Sequence, residues 1–394
     1  MELVNNKDIY LYLEPYVEIS EGKESILLYN TLDGEKILVR DVESKEVIKK
    51  LSEDNSCYCI DLSADKLKDI NVQNFIRILR KKFMGDYVYK DKVNSKPLQF
   101  NPIVNVQEDM KLRKFHDLKK NDSRIGDLLK LNLYLNNDSS KFNYSSQLNS
   151  PFHNFKGEVG LEGIEKVLSN LSKNQHVEIE IFIGQSPLSA NYIEILDKLK
   201  GRNLSFHVSI QDEKLLKSLS AYGEISMYYD ESNQHIFQSS YINTHVFVIK
   251  SEESLEKVEA LSTEYSDMNI DLIPYLELNT DFFEKYVYLT QEDINDISIN
   301  EKDYHINKFI NSNFFGILSI IPNGEIYSNF NEKCLGNIFK DSLLDVVHSE
   351  IINGESWRLT RDKVSVCKDC EYRYLCPPIS NYELVQDKYN LCLN

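Results

Sequence analysis

Cys367, Cys370 and Cys376, in the stretch CKDCEYRYLC, and Cys392 beyond them form a CxxC-x5-C-x15-C array. Two thiolates flanking two residues sit on a tight turn that can aim both sulfurs at one ion or cluster, and two more complete a tetrahedral zinc site or a [4Fe–4S] cluster. Spacing alone does not choose between the two. The bland alternative is a set of buried free thiols, which a lone CxxC would leave open and a four-cysteine array in a reducing compartment disfavours. The other three of the seven cysteines are Cys334, Cys57 and Cys59, and none stands between Ile60 and Lys333. Cys57-Tyr58-Cys59 would point both thiols to one face of a strand but has no third ligand nearby, so it reads as a pair of small apolar side chains. The eight histidines are scattered without an HExxH pair. His153 and His207 fall near expected strand ends, where a barrel would hold a site, and read as structural. No P-loop, dinucleotide-binding glycine run or nucleophile elbow is present.

The elements that must position these residues divide a chain of 394 residues, long enough for two or three domains. An apolar fraction of 42% and a charged fraction of 27% are those of a globular protein. A formal net charge of −17 repels phosphate backbones, so a nucleic-acid partner is not expected. No apolar run approaches the length of a bilayer span, and Met1 is followed by polar and acidic residues rather than a signal-peptide pattern. A cytoplasmic protein without a membrane span is the expectation. The 24 tyrosines suit contact surfaces for partners.

Residues 1–93 open with short β-rich segments, YVEIS, SILLYNT and KILVR, separated by turns at Gly22 and Gly34, which predict a small antiparallel sheet. Two helical patterns follow; in the second, Val72, Phe75, Ile76, Leu79 and Phe83 share a face, Asn71 is the expected N-cap, and Arg77, Arg80 and Lys81 lie off the stripe. This reads as a winged-helix-like module. Residues 94–125, with Pro97, Pro102 and a charged run, read as a linker. Over 126–311 the strand-like stretches LLKLNLYL, HVEIEIFI, LSFHVSI, EISMYY, THVFVIK and NIDLI alternate with GIEKVLSNL, ANYIEILDKLK and SLEKVEALSTEY. That alternation predicts an α/β fold with βα units on a parallel sheet, open or curled into a partial barrel. Residues 312–394 hold GILSIIPNGEIYS, a helix around DSLLDVVHS, and the cysteine array.

The final segment resembles the SPASM domain, the C-terminal auxiliary-cluster domain of radical SAM peptide-modifying enzymes. A glycine-containing hairpin, the LGNI turn, a short helix and CxxC-x5-C occur there in this order. The resemblance implies one auxiliary [4Fe–4S] cluster on Cys367, Cys370, Cys376 and Cys392, with Zn2+ as the alternative. It also implies that a second cluster has lost most of its ligands, since the position five after the hairpin glycine is Asn329 and the one four after Cys376 is Ser380; Cys334 would be a remnant of that set or a free thiol. The middle segment would then be a radical SAM barrel whose CxxxCxxC motif should follow LLKLNLYL. Asp138, Phe142 and Ser145 stand there instead, and the Gly-Gly-Glu-Pro motif is replaced by Gly184, Gln185, Ser186 and Pro187. Neither the catalytic cluster nor S-adenosylmethionine is expected on such a chain.

The whole resembles a pseudo-radical-SAM protein of bacterial systems that mature ribosomally made peptides, with a degenerate partial (β/α) barrel. The first module resembles the PqqD-type element that captures leader peptides as an added strand. Ile37, Val39, Phe75 and Leu79 are candidates to line its groove, and Arg77 and Arg80 to attract an acidic leader, although ordinary core residues and a solvated face are the preferred reading for each. A precursor peptide and an active radical SAM maturase are the partners this implies. A redox-active iron–sulfur enzyme or electron carrier, and a binding protein with a structural zinc, are the alternatives.

Overall fold

The computed structural model describes residues 7–97, 128–136, 152, 155, 157–171, 176–184, 188, 191–230, 236–389 and 392. Its first segment contains strands β1 (Ile9–Leu13), β2 (Val17–Glu21), β3 (Ile26–Asn30) and β4 (Lys36–Val39), helix α1 (Val42–Leu51), β5 (Cys59–Leu62), α2 (Ile70–Lys81) and β6 (Gly85–Tyr89). The expected antiparallel sheet is present in the order β2-β3-β4, and a second sheet, β5-β1-β6, joins it. This second sheet was not legible beforehand, because its central strand pairs with segments far along the chain.

Local details depart from expectation at three places. Helix α2 is capped by Asp69, whose carboxylate accepts from the N–H groups of Asn71 at 2.8 Å and Val72 at 3.2 Å. An anionic acceptor two residues ahead of Asn71 satisfies two orphan donors and complements the helix dipole. Phe83 does not continue the buried stripe; it has a φ of 54° and is 75% exposed, because the left-handed residue past the helix end turns it outward. Cys57 and Tyr58 have φ values of 50° and 54°, so the strand begins only at Cys59 and the two thiols do not share a face.

The middle of the chain supplies β7 (Lys130–Tyr134), α3 (Leu161–Asn170), β8 (Glu178–Ile183), α4 (Tyr192–Leu199), β9 (Asn203–Val208), α5 (Glu213–Leu219), β10 (Glu224–Tyr229), β11 (Thr244–Ile249), α6 (Glu252–Glu264) and β12 (Ile270–Pro274). All six expected strands are found, each parallel to its sequence neighbour. Helices α7 (Thr280–Tyr286), α8 (Gln291–Asp296) and α9 (Glu301–Phe309) follow. Then come β13 (Ile317–Ile320), β14 (Glu325–Tyr327), β15 (Gly336–Asn337), α10 (Leu343–Asn353) and α11 (Asn381–Gln386). The nine-stranded sheet runs β12-β11-β10-β9-β8-β7-β13-β14-β15, with β13 parallel to β7. The protein is therefore a mixed α/β chain around a central parallel sheet, and that sheet runs on past residue 311.

Period-two alternation explains the layering. Leu131 and Leu133, Ile179 and Ile181, and Leu204 and Phe206 join the core under the helices, while Tyr134, Phe182 and Tyr228 belong to a smaller cluster on the opposite face. That second face also carries Asn132, Glu180, Ser205 and His207, polar residues that a one-sided sheet would place in water.

Candidate functional site

The tail reaches the cysteine array through short turns. Trp357, the single tryptophan, is fully buried against Phe315 with ring centroids 5.1 Å apart, and anchors the segment that leads to Arg361. Cys370 N–H donates to Cys367 O at 2.9 Å, closing the CxxC turn, and Cys376 N–H donates to Tyr372 O at 3.1 Å. Cys392 is brought back by an isolated parallel bridge to Leu289. The four thiols that the spacing singled out line one cavity of about 190 Å³, together with Leu289, Ile294, Arg361 and Tyr372. Cys334 is not among them: it is exposed, and its Sγ donates to Gly336 O at 3.1 Å.

Burial governs the electrostatics of this cavity. It pushes the Cys376 thiol up to about 12 against the pull of the Arg361 guanidinium, and it raises Cys370 and Cys392 as well. Arg361 is itself buried, donates from Nη1 to Glu383 Oε1 at 2.9 Å and from Nη2 to Oε2 at 3.3 Å, and approaches Cys367 Sγ to 3.6 Å. Among the described residues no three His, Cys, Asp or Glu side chains converge so as to hold a single metal ion. The thiols ring a space rather than meet at a point.

Ser380 and Asn329, where the resemblance places lost ligands, have hydrogen-bonding roles. Ser380 caps α11 in a reciprocal box with Glu383, and the buried Asn329 faces Asn331 and Asn381, accepting from Asn331 Nδ2 at 2.8 Å.

A second cavity, about 530 Å³, lies on the face of the parallel sheet opposite the helices, between Lys130, Glu180, His207, Tyr228, Asn329 and Tyr382. Lys130 Nζ donates to Glu180 Oε1 at 2.5 Å, Glu180 Oε2 lies 3.7 Å from His207 Nε2, and His207 Nδ1 meets the Tyr228 hydroxyl at 2.8 Å. Burial resists ionisation of Glu180, yet His207 and Lys130 outweigh it and hold the carboxyl below its usual range. His207 also stacks on Phe182 at 4.5 Å. It is thus held on two sides, as expected of a structural histidine, while lining a cavity. Gly184 is clasped by Asn136, whose Oδ1 accepts its N–H at 2.8 Å. Asp138, Phe142, Ser145, His153 and Gln185 to Pro187 lie outside the described residues.

In the first module, Ile37, Val39, Phe75 and Leu79 are all buried in the core between the sheet and the helices, so their side chains fill the core and not an open groove. Arg77 is exposed; Arg80 is tied to Asp86 at 2.6 Å and lies 4.9 Å over the Tyr87 ring. The open backbone edge of the sheet lies elsewhere, on β4. Asn30 N–H donates to Glu35 O at 2.9 Å, and antiparallel alternation then turns the backbone groups of Lys36 and Leu38 away from β3. Lys36 O accordingly accepts from Lys82 Nζ at 2.9 Å, while among the described residues no strand pairs with this edge of β4. Asn71, Ile78 and Lys82 fall within about 40° of one another on a helix of 3.6 residues per turn. Asn71 reaches Glu43 just beyond β4, and Lys82 reaches Glu35 and Lys36 at its start, so Ile78, 43% exposed, faces the same edge. An isoleucine between Arg77 and Leu79, off the core stripe, was the available signal for it. For Arg361, with no partner near in sequence, there was none.

No family model and no curated protein matches the chain. Among solved structures, Streptococcus suis SuiB bound to S-adenosylmethionine is similar over 93% of this chain and 94% of that one, at 15% identity and a TM-score of 0.39. SuiB bound to precursor peptide SuiA is similar over the same shares, 93% and 94%, at 14% identity and a TM-score of 0.35. Native anSMEcpe with bound AdoMet and Kp18Cys peptide is similar over 66% of this chain and 96% of that one, at 13% identity and a TM-score of 0.43.

Proposed function

We propose that the chain is a catalytically degenerate partner in the maturation of a ribosomally made peptide, binding the precursor's leader, an active radical SAM maturase, or both. One observation carries the reading. The four tail thiols share a single cavity, whereas the chain has no cysteine at all between Ile60 and Lys333, the stretch that includes the six-stranded parallel core. In this reading 1–93 is the recognition module, 94–125 a linker, 126–311 the degenerate barrel and 312–394 the SPASM-like segment.

Cys367, Cys370, Cys376 and Cys392 would hold one [4Fe–4S] cluster. A single zinc with metal–sulfur bonds of about 2.3 Å needs its four sulfurs within about 3.8 Å of one another. Thiols set around a cavity of about 190 Å³ suit a larger group better. When bound, such a cluster supplies structural closure and one-electron chemistry. The protein's part is to enclose it and to offset the thiolate charge with Arg361, while S-adenosylmethionine has no role.

The leader would add as a strand to the open edge of β4, meeting the N–H and C=O of Leu38, with an apolar side chain against Ile78 and acidic residues toward Arg77. Co-purification of the full chain with a maturase and leader encoded beside it tests the reading, and failure to bind either ends it. Iron, sulfide and zinc quantitation after anaerobic preparation separates the cluster from zinc. One equivalent of zinc without iron would rule out the redox alternative together with the cluster.

A further inference from the structure

The three-stranded sheet of the recognition module has two buried faces, and the second is covered jointly by the cysteine loop and by residues 297–304, where Tyr29 Oη donates to Ile299 O at 2.6 Å and accepts from Ile299 N–H at 2.7 Å. Ile26, Leu28, Ile37 and Val39 point into the module's own core. Leu27, Tyr29 and Leu38, the alternate positions on the same strands, pack with Tyr372, Tyr374 and Leu375, which lie between Cys370 and Cys376, and with Tyr304 of α9. Rings continue the contact: Tyr29 stacks on Tyr304 with centroids 6.0 Å apart, and Tyr304 meets Tyr374 edge-on at 5.6 Å.

Polar contacts pin the β2–β3 turn to the same loop. Lys23 N–H donates to Asp369 O at 2.8 Å, and Ser25 Oγ donates to Glu371 Oε1 at 2.6 Å. Arg373 Nη1 donates at 2.7 Å both to Glu21 O at the end of β2 and to Cys370 O, joining the strand to a metal-site cysteine through one nitrogen. Gly22 allows this close approach, since a Cβ there would stand 2.5 Å from Glu371 Oε2 and 3.0 Å from Glu371 N and would push the Glu371 side chain aside.

We propose that occupancy of the four-thiol site regulates peptide binding at the β4 edge, by ordering the 369–375 loop on which the β2-β3-β4 sheet rests. The inference depends on the metal and peptide sites proposed above. A group bonded to Cys367, Cys370 and Cys376 fixes both ends of the loop, so docking the sheet no longer costs the loop's conformational freedom. Without it, the same contacts must order the loop themselves. Linkage is reciprocal: if the metal favours the docked sheet, a peptide that needs the docked sheet tightens the metal by the same factor.

The test is hydrogen exchange on the full chain, reconstituted anaerobically with iron and sulfide or with zinc, against the same protein stripped by chelator, with metal content measured on every sample. Amides of residues 17–39 should exchange at least about tenfold faster in stripped protein, a factor in the ordinary range for coupled sites. Amides of the parallel strands β8 to β10 should change little. In Ser25→Ala/Arg373→Gln protein that retains the full metal complement, exchange over residues 17–39 should no longer depend on the metal; Ser25→Ala alone, a milder change, should halve the dependence or more. Equal protection in loaded and stripped wild-type protein overturns the coupling while the metal reading stands. Failure to take up any metal overturns both.

Discussion

Replacing Glu383 by Gln probes the buried charge beside the thiols. Glu383 and Arg361 have side chains 1% and 5% exposed, joined by two hydrogen bonds of 2.9 and 3.3 Å. Glu383 Oε2 also accepts from Ser380 N–H at 2.9 Å and from its hydroxyl at 3.2 Å. The amide keeps one acceptor and turns an NH2 toward donors on either side, so a buried guanidinium loses its anion and the α11 cap weakens. Removing one partner of a buried pair costs roughly 3–5 kcal/mol and losing a cap about 1, two losses that share an atom and do not simply add. About 4 kcal/mol is expected in metal-stripped protein. Urea titration followed by the fluorescence of Trp357, buried in the same segment, reads the loss locally. The cost should shrink in loaded protein, because four thiolates around zinc or a cluster leave negative charge near Arg361, 3.6 Å from Cys367 Sγ. The double variant Arg361→Met/Glu383→Leu, which removes both charges, should lose less than Glu383→Gln alone. A loss below about 1 kcal/mol for Glu383→Gln, or a double variant worse than the single one, refutes this account of the pair.

Other consequences are as direct. The stripped protein should lose stability as pH rises from about 9 toward 12, since burial holds Cys376 protonated in the fold up to about 12 while an unfolded thiol ionises near 9; Cys376→Ala should shallow the alkaline limb of its denaturation midpoint, and metal loading should remove the share of the four thiols while that of buried Cys59 stays. Metal uptake should release protons and weaken on acidification, measured by competition with a chelator across pH. Leu79→Ala should cost about 2–5 kcal/mol in chemical denaturation, whereas Ile78→Asp should leave stability within about 0.5 kcal/mol and lower leader affinity at least about tenfold in a binding titration. Gly324→Ala should destabilise the β13–β14 hairpin, because Gly324 has a φ of +86° and a Cβ there would stand 2.6 Å from the Phe339 ring; thermal melting reads it.

Local pattern made much of the fold readable. The parallel strands declared themselves because β7 to β10 carry an apolar residue at every second position under the helices and β11 ends in the apolar run VFVI, and a parallel sheet needs an intervening helix or long connection that the chain also shows. Strands β1, β5 and β6 did not, since IYLYL gains its strand character from partners 59–62 and 85–89, beyond any local window. The four thiols that share a cavity were legible for a similar reason: three of them lie on one short loop. Arg361 and Glu383 were not, although Ser380-x-x-Glu383 matches a capping box, because nothing in that motif says that its carboxylate also faces a buried arginine. Choosing Phe75 and Leu79 for the groove followed the amphipathic stripe, and the stripe marks the buried face of the helix by construction. The open edge had to be sought in the residues the stripe leaves out.

This distinction bears on how the two proposed sites are related. A three-stranded sheet with one solvated face would show alternating polar positions, yet β3 reads ILLYN and is buried at all five. Such a strand signals a cover on each side, and helices α1 and α2 supply only one. The other is shared between residues 297–304 and the loop between Cys370 and Cys376, whose sequence EYRYL offers two tyrosines and a leucine to the sheet and whose ends are the thiols of the proposed metal site. A module built for independent leader capture would close its own second face. That it borrows the cysteine loop instead is a physical reason to expect recognition and metal binding to act as one unit, and the exchange rates of residues 17–39 with and without metal decide it.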